Sequence, residues 1–272
     1  MGRHVMEALG RTRVVIEDGK VVEVGEPEVR YCPLFFKVRG ITEITPEIVR
    51  QNIEFRIKDF GMCTPGRKMR MRDFLSFGIS ELLGMALSKG MLDAAVVVCE
   101  GAGTVVVSDP DLVQGIGGRV SGIVETSPIP EVVEAIGQDR VVDPESATID
   151  MVKGAELAFR LGFRRVAVTV ARAEDAVEVR RRYGQRVALF AVHTSGLSHQ
   201  DAQLMFDNCD VVTACASKHV REVAKTRALL QVGNKVPVYA SSLWGELLLR
   251  TRLEALKSPN VTSPEEPPVP LI

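Results

Sequence analysis

The spacing of apolar and polar positions changes twice along the chain. Residues 12–31, TRVVIEDGKVVEVGEPEVRY, alternate apolar and polar side chains on either side of Asp18-Gly19. Alternation turns one face of an extended strand toward a core, and Asp-Gly tolerates the positive φ of a two-residue hairpin turn. Further on, Thr45-Pro46-Glu47 reads as a helix cap with proline in the first turn, and Ile48, Val49, Ile53 and Ile57 follow at helical spacing. A second helix is predicted over 73–89, ending at Gly90.

From Asp93 the pattern becomes short Val, Ile and Ala runs separated by helical segments, the signature of parallel strands covered on both faces. Strands are predicted at 94–99, 104–108, 121–126, 140–143, 165–171, 186–194, 210–217 and 236–242, with helices starting near Asp109, Pro130, Ala147, Ala173, Ser198, Lys218 and Ser242. The expected fold is α/β, a doubly wound and mostly parallel sheet with a small β-hairpin plus helical N-terminal region. Residues 1–90 would form the hairpin and helices, 91–257 the parallel domain with at least five parallel strands, and 258–272 a proline-rich tail without periodicity, expected to be disordered or to lie flat on the surface.

Composition narrows the function classes. The 272 residues carry 34 Lys and Arg against 35 Asp and Glu, so no global positive field invites nucleic acid. No run reaches the roughly 18 apolar residues of a membrane span, and the first residues lack a signal-peptide core, which predicts a cytoplasmic protein. Five cysteines without a CxxC pair argue against a disulfide framework or zinc ribbon and read as reduced thiols.

In an open parallel sheet the strands' carboxyl ends and the helix N-termini converge on one edge, where ligands bind. Five predicted strand ends carry small, hydroxyl-bearing or reactive residues: Cys99-Glu100-Gly101-Ala102-Gly103, Thr126-Ser127, His193-Thr194-Ser195-Gly196, Cys215-Ala216-Ser217 and Ser241-Ser242. Cys99, Glu100, His193 and Cys215 are the candidate catalytic residues. Glu100, directly after an apolar strand, would have a raised pKa suited to proton transfer, and a histidine beside Cys215 would favour its thiolate. Gly101, Gly103, Thr126, Ser127, Thr194, Ser195, Ser217 and Ser241 are the candidate ligand-binding residues, although serine and threonine at such positions also serve as ordinary helix caps. The glycine-rich pieces at 101–103 and 114–119 match neither a Walker loop nor a dinucleotide fingerprint.

Cys32 and Cys63 lie near prolines in the N-terminal part, in RYCPLF and GMCTPG. If the two meet, they are candidate ligands for a metal or an iron–sulfur cluster, against the alternative of two buried apolar side chains. His199 and His219 fall in first helical turns and are expected on the surface.

The phrases DGKVVEVGEP, YCPLF, CEGAGTVV, QGIGGRVSG, ETSPIP, HTSGLS and CDVVTACASKHVRE together resemble the archaeal family called methanogenesis marker protein 8, from about Arg3 to Leu256. The resemblance implies a role in methanogenesis, in the making or handling of one of its cofactors or enzymes, and assigns no catalytic residue. Three functions are therefore open. One is an enzyme or maturation factor acting on a small anionic metabolite at the sheet edge. The others are a non-catalytic assembly protein for a methanogenesis enzyme and a thiolate-ligated metal or cluster carrier.

Overall fold

The computed structural model describes residues 2–72, 77–118, 122–233, 236–257 and 266–272. Strands β1 (Arg3–Ala8), β2 (Thr12–Glu17) and β3 (Lys20–Val24) form an antiparallel meander. The predicted hairpin turn is present, with Asp18 and Gly19 at φ of 53° and 73°. Helix α1 (Pro33–Arg39) follows, then α2 (Pro46–Phe60), whose predicted cap forms as the Thr45 hydroxyl accepts from the Ile48 N–H. Val49 and Ile53 of α2 pack on Met6, Val14 and Ile16, so the alternating face of the meander supplies a small core of its own.

Helix α3 (Ile79–Ser88) is shorter than the span predicted from 73 to 89, and residues 73–76 lie outside the described residues. Strands β4 (Ala94–Cys99) and β5 (Gly103–Val107) and helix α4 (Pro110–Gly117) come next, then β6 (Gly122–Thr126) and α5 (Pro130–Ile136). The chain continues through α6 (Met151–Arg160), β7 (Val166–Val170), α7 (Ala173–Tyr183), β8 (Val187–Ala191) and α8 (His199–Asn208). Finally β9 (Val211–Thr213), α9 (Lys218–Arg227), β10 (Leu230–Val232), β11 (Val238–Ala240) and α10 (Leu243–Leu256) complete the described elements.

The larger sheet has seven strands in the order β10-β11-β9-β8-β7-β4-β5. Only its centre, β4-β7-β8-β9, is parallel; β5 is antiparallel to β4, and β11 is antiparallel to both β9 and β10. The sheet is therefore mixed, and the expectation of a mostly parallel sheet with five or more parallel strands holds for these four alone. Two predicted members are missing from it. β6 pairs with β1 and completes the order β3-β2-β1-β6 in the N-terminal sheet, while residues 140–143 contribute a single bridge, Val141 to Val105.

The winding also differs from the doubly wound expectation. The parallel strands follow in one direction, and α6, α7, α8 and α9 all pack on one sheet face. Right-handed crossovers that never reverse direction leave their helices on a single side. The other face is buried by α3, α4, α5 and α10, which come from outside the parallel run. With no reversal of strand order, no crevice opens within the parallel strands; the carboxyl edge gains its opposing wall from the N-terminal sheet.

Where it is described, the tail runs along the surface with most of its residues exposed or half-buried. Val269 exchanges backbone hydrogen bonds with Tyr31, and the Ile272 carbonyl accepts from the Lys218 and Gly196 N–H groups while its own N–H donates to Ala216. Residues 266–272 thus strap the carboxyl edge, because unpaired amides there satisfy backbone oxygens that composition alone leaves without partners. Residues 258–265 lie outside the described residues.

Candidate functional site

β8 and β9 are neighbours, so the loop carrying His193 and the loop carrying Cys215 leave the sheet side by side. His193 is exposed at the surface of this edge and Cys215 is half-buried. The N-terminal sheet forms the opposite wall: a methyl group on Gly122 of β6 would lie 3.3 Å from Cγ and Nδ1 of His193. His193 holds the left-handed backbone region at φ 52°, which costs a residue with a Cβ about 1–3 kcal/mol and is retained only where surrounding structure dictates it.

The hydroxyls predicted to greet a ligand are instead bonded within the protein. Thr194 donates to the Thr213 carbonyl, Ser195 accepts from the Ala216 N–H, and Ser217 caps α9 by accepting from the Val220 N–H. Ser241 stands at the wrong edge altogether. Because β11 runs antiparallel to β9, its end meets the beginning of β9, and Ser241 donates to the Cys209 carbonyl there.

Cys99, Glu100, Gly101 and Gly103 also fall outside the cleft. They form the turn between β4 and antiparallel β5, where Cys99 and Glu100 are fully buried. The Gly101 N–H donates to Thr126 Oγ1 and its carbonyl accepts from Ile129. Gly103 sits at φ 68° with the Ala147 carbonyl 2.2 Å from where a Cβ would stand, so glycine is required there by packing. Thr126 Oγ1 lies 2.7 Å from His4 Nδ1, and Ser127 donates to the Arg3 carbonyl, which places both in the seam between the sheets.

Glu100 pairs with Arg67, whose remaining nitrogens donate to the Lys68 and Gly115 carbonyls. Burial raises the Glu100 pKa, as predicted for a carboxyl at an apolar strand end, with Arg67 opposing the shift. The side chain has no exposed surface, so its surroundings describe a structural ion pair.

Cys32 and Cys63 both contribute to the core of the N-terminal layer, and each also has another cysteine as an electrostatic neighbour. Cys63 is buried close enough to Cys99, Glu100 and Arg67 to feel their charges, and burial pushes its pKa well up. Cys32 stands at the N-cap position of α1 without a side-chain capping bond, and its electrostatic neighbour is Arg221. Its thiol partner is Cys215, which also feels Arg221 and Glu7. His193 is not among these neighbours, and burial pushes the Cys215 thiol up to about 11, so the expected thiolate stabilisation is outweighed.

Arg221 gives this end of the cleft its chemistry, and the strand-end search missed it because it lies one helical turn inside α9. Its Nη2 donates to the Cys215 carbonyl, whereas its Nε is covered from solvent and has no hydrogen-bond partner among the described residues. Burial lowers the pKa of the guanidinium. Two thiols, an incompletely satisfied cation and Glu7 with its partner Arg11 thus converge beside the strap at Ile272. No motif marks Arg221 in the sequence, because an arginine one turn into a helix reads as part of a solvated face.

Among the described residues, no helix is long and apolar enough to cross a membrane. The chain is 45% identical over 261 residues to the protein named "Uncharacterized protein MJ0054" of Methanocaldococcus jannaschii, covering 94% of this chain and 92% of that protein. Residues 4–254 match the family described as "Uncharacterized protein conserved in archaea (DUF2099)", and a match of that extent places this chain in that archaeal family.

Proposed function

We propose that the protein binds a small anionic metabolite at the carboxyl edge of β8 and β9, as an enzyme or cofactor-maturation factor serving methanogenesis. The observation that carries this reading is the covered Arg221 Nε with no partner. A cation held away from water is unfavourable until an anion meets it, and a carboxylate or phosphoryl oxygen suits the guanidinium fork. The archaeal family and the resemblance to methanogenesis marker protein 8 support the setting. Anion-dependent thermal unfolding tests the reading, using phosphate and a series of mono- and dicarboxylates, together with native mass spectrometry of freshly purified protein. Wild type should be stabilised and should retain a small acid. Arg221→Gln should lose both effects and Arg221→Lys most of them; equal stabilisation of all three proteins overturns the proposal.

A second reading rests on the neighbouring thiols of Cys32 and Cys215, which suit a soft metal or a cluster better than the original pairing of Cys32 with Cys63. A metal would displace the protons that burial retains on these thiols. Brown, iron-bearing protein from anaerobic purification, bleached in Cys32→Ser, supports it; a colourless, metal-free wild type removes it.

A further inference from the structure

Helices α8 and α9 both start from the carboxyl edge after adjacent strands, so their first turns lie next to each other. Ser198 and Ser217 cap the two helices and fix where those turns begin. His199 is the first residue of α8, and His219 and Glu222 are three apart on α9, the spacing that stacks side chains on one helix face. The two imidazoles meet edge to face with centroids 5.6 Å apart. His219 Nδ1 is 2.9 Å and His199 Nδ1 4.0 Å from Glu222 Oε2. One ligand atom from each residue lies within 4.8 Å of the others.

We propose that His199, His219 and Glu222 form a divalent transition-metal site of the zinc, cobalt or nickel class. Two imidazole nitrogens and one carboxylate oxygen are a borderline-soft donor set, which magnesium and calcium disfavour because they select oxygen. Ligand bonds of about 2.1 Å in a tetrahedron place donor atoms about 3.4 Å apart. The observed separations bracket that value, and all three side chains are partly exposed and free to close the difference by rotation. Gln203 supplies an outer partner: its side-chain nitrogen is 3.3 Å from His199 Nε2. Ligation through Nδ1 puts the proton on Nε2, and rotating the Gln203 amide turns its oxygen toward that proton.

The ordinary alternative is a surface histidine–carboxylate pair, which stabilises by at most about 1 kcal/mol. That account covers His219 with Glu222 but gives no reason for His199, from a different helix, to share the same carboxylate. The chain has only four histidines, and two of them meet here. Three protein ligands leave a coordination position open for water or substrate, as catalytic zinc sites do. The donor set includes neither Cys32 nor Cys215 and does not depend on the anion proposed beside Arg221.

The test uses untagged, chelator-stripped full chain with its thiols kept reduced, titrated with Zn2+ by calorimetry and with Co2+ by visible spectroscopy. One equivalent of either metal should bind in the micromolar range or tighter, and the cobalt spectrum should show ligand-field bands without thiolate-to-metal charge transfer. His199→Ala and His219→Ala should each weaken binding at least tenfold, Glu222→Gln severalfold, and the Cys32→Ser, Cys215→Ser double variant should bind as wild type does. Because these ligands are partly exposed, circular dichroism should show all variants folded. Millimolar affinity, affinity indifferent to both histidine substitutions, or a charge-transfer band lost in the cysteine variant would each overturn the proposal.

Discussion

Arg67 and Arg221 stand in two seams of the same molecule under opposite conditions. Arg67 lies where the N-terminal layer meets the β4–β5 turn, fully covered, with Glu100 as counter-ion and two carbonyls accepting its other nitrogens. Arg221 lies at the carboxyl edge, half-buried, with one carbonyl partner and an unmatched Nε. The contrast teaches where function is to be sought. Each seam holds one buried polar atom without a hydrogen-bond partner, Glu100 Oε2 in the first and Arg221 Nε in the second, but Arg67 and Glu100 neutralise each other, whereas Arg221 forms no ion pair among the described residues and so has recognition capacity left over.

The sharpest way to break the comparison is to remove each arginine. Arg67→Ala strands a buried carboxylate and should lower stability by about 3–5 kcal/mol in urea unfolding. Arg221→Ala strands no carboxylate and should change stability by less than about 1 kcal/mol. Equal losses would make Arg221 a structural residue and dissolve the distinction.

The closed seam also has a pH signature. His4 is buried against Thr126, and burial lowers its pKa to about 4. The unfolded imidazole titrates near 6.5, so between those values the unfolded chain binds a proton that the folded chain refuses. This contribution is therefore intact above pH about 6.5 and is lost as pH falls toward 4, by up to about 3 kcal/mol. In His4→Gln the difference between unfolding free energies at pH 7.5 and 4.5 should shrink accordingly; desolvation by the surrounding protein lowers the His193 pKa as well, so His193→Gln should shrink it in the same direction.

At the open seam, the strap of residues 266–272 is the next lever. Its hydrogen bonds through Val269 and Ile272 oppose the ordering of seven residues, leaving a net contribution of about 1–2 kcal/mol. Removing these residues should lower stability by that amount and speed alkylation of Cys215, with Cys99 in the closed seam still protected. Unchanged Cys215 reactivity would show that the strap does not guard the cleft.

Local rules carried much of this architecture in the sequence. The Asp18-Gly19 turn, the Thr45 cap and the caps at Ser198, Ser217 and Ser242 all form as residue type dictates. Strand direction was not legible, since an apolar run such as residues 104–108 or 236–242 has the same composition whether its neighbour is parallel or antiparallel. That one ambiguity misplaced Gly103 and Ser241. The destination of β6 was hidden for a related reason: pairing with β1 requires a partner more than a hundred residues away, which no local pattern specifies. The candidate site was legible at His193, Cys215 and Cys32 as residue types, but Arg221 and the meeting of Cys32 with Cys215 depend on how the two layers face each other.

The smallest expected effect separates the sheet's two edges. Ser241 and Ser217 both follow strand ends and look equivalent in sequence, yet Ser241 donates to Cys209 at the amino edge and Ser217 caps the helix that carries Arg221. Replacing either with alanine removes one hydrogen bond and should cost about 0.5–1.5 kcal/mol, so stability alone cannot tell them apart. Anion-dependent stabilisation can. Losing the Ser217 cap loosens the first turn of α9, and with it the backbone that sets Arg221 beside Cys215, so the anion effect should fall in Ser217→Ala. Ser241→Ala leaves that turn untouched and should keep the full effect. A loss of anion response in Ser241→Ala equal to that in Ser217→Ala would mean that the response reflects global stability rather than binding at the carboxyl edge.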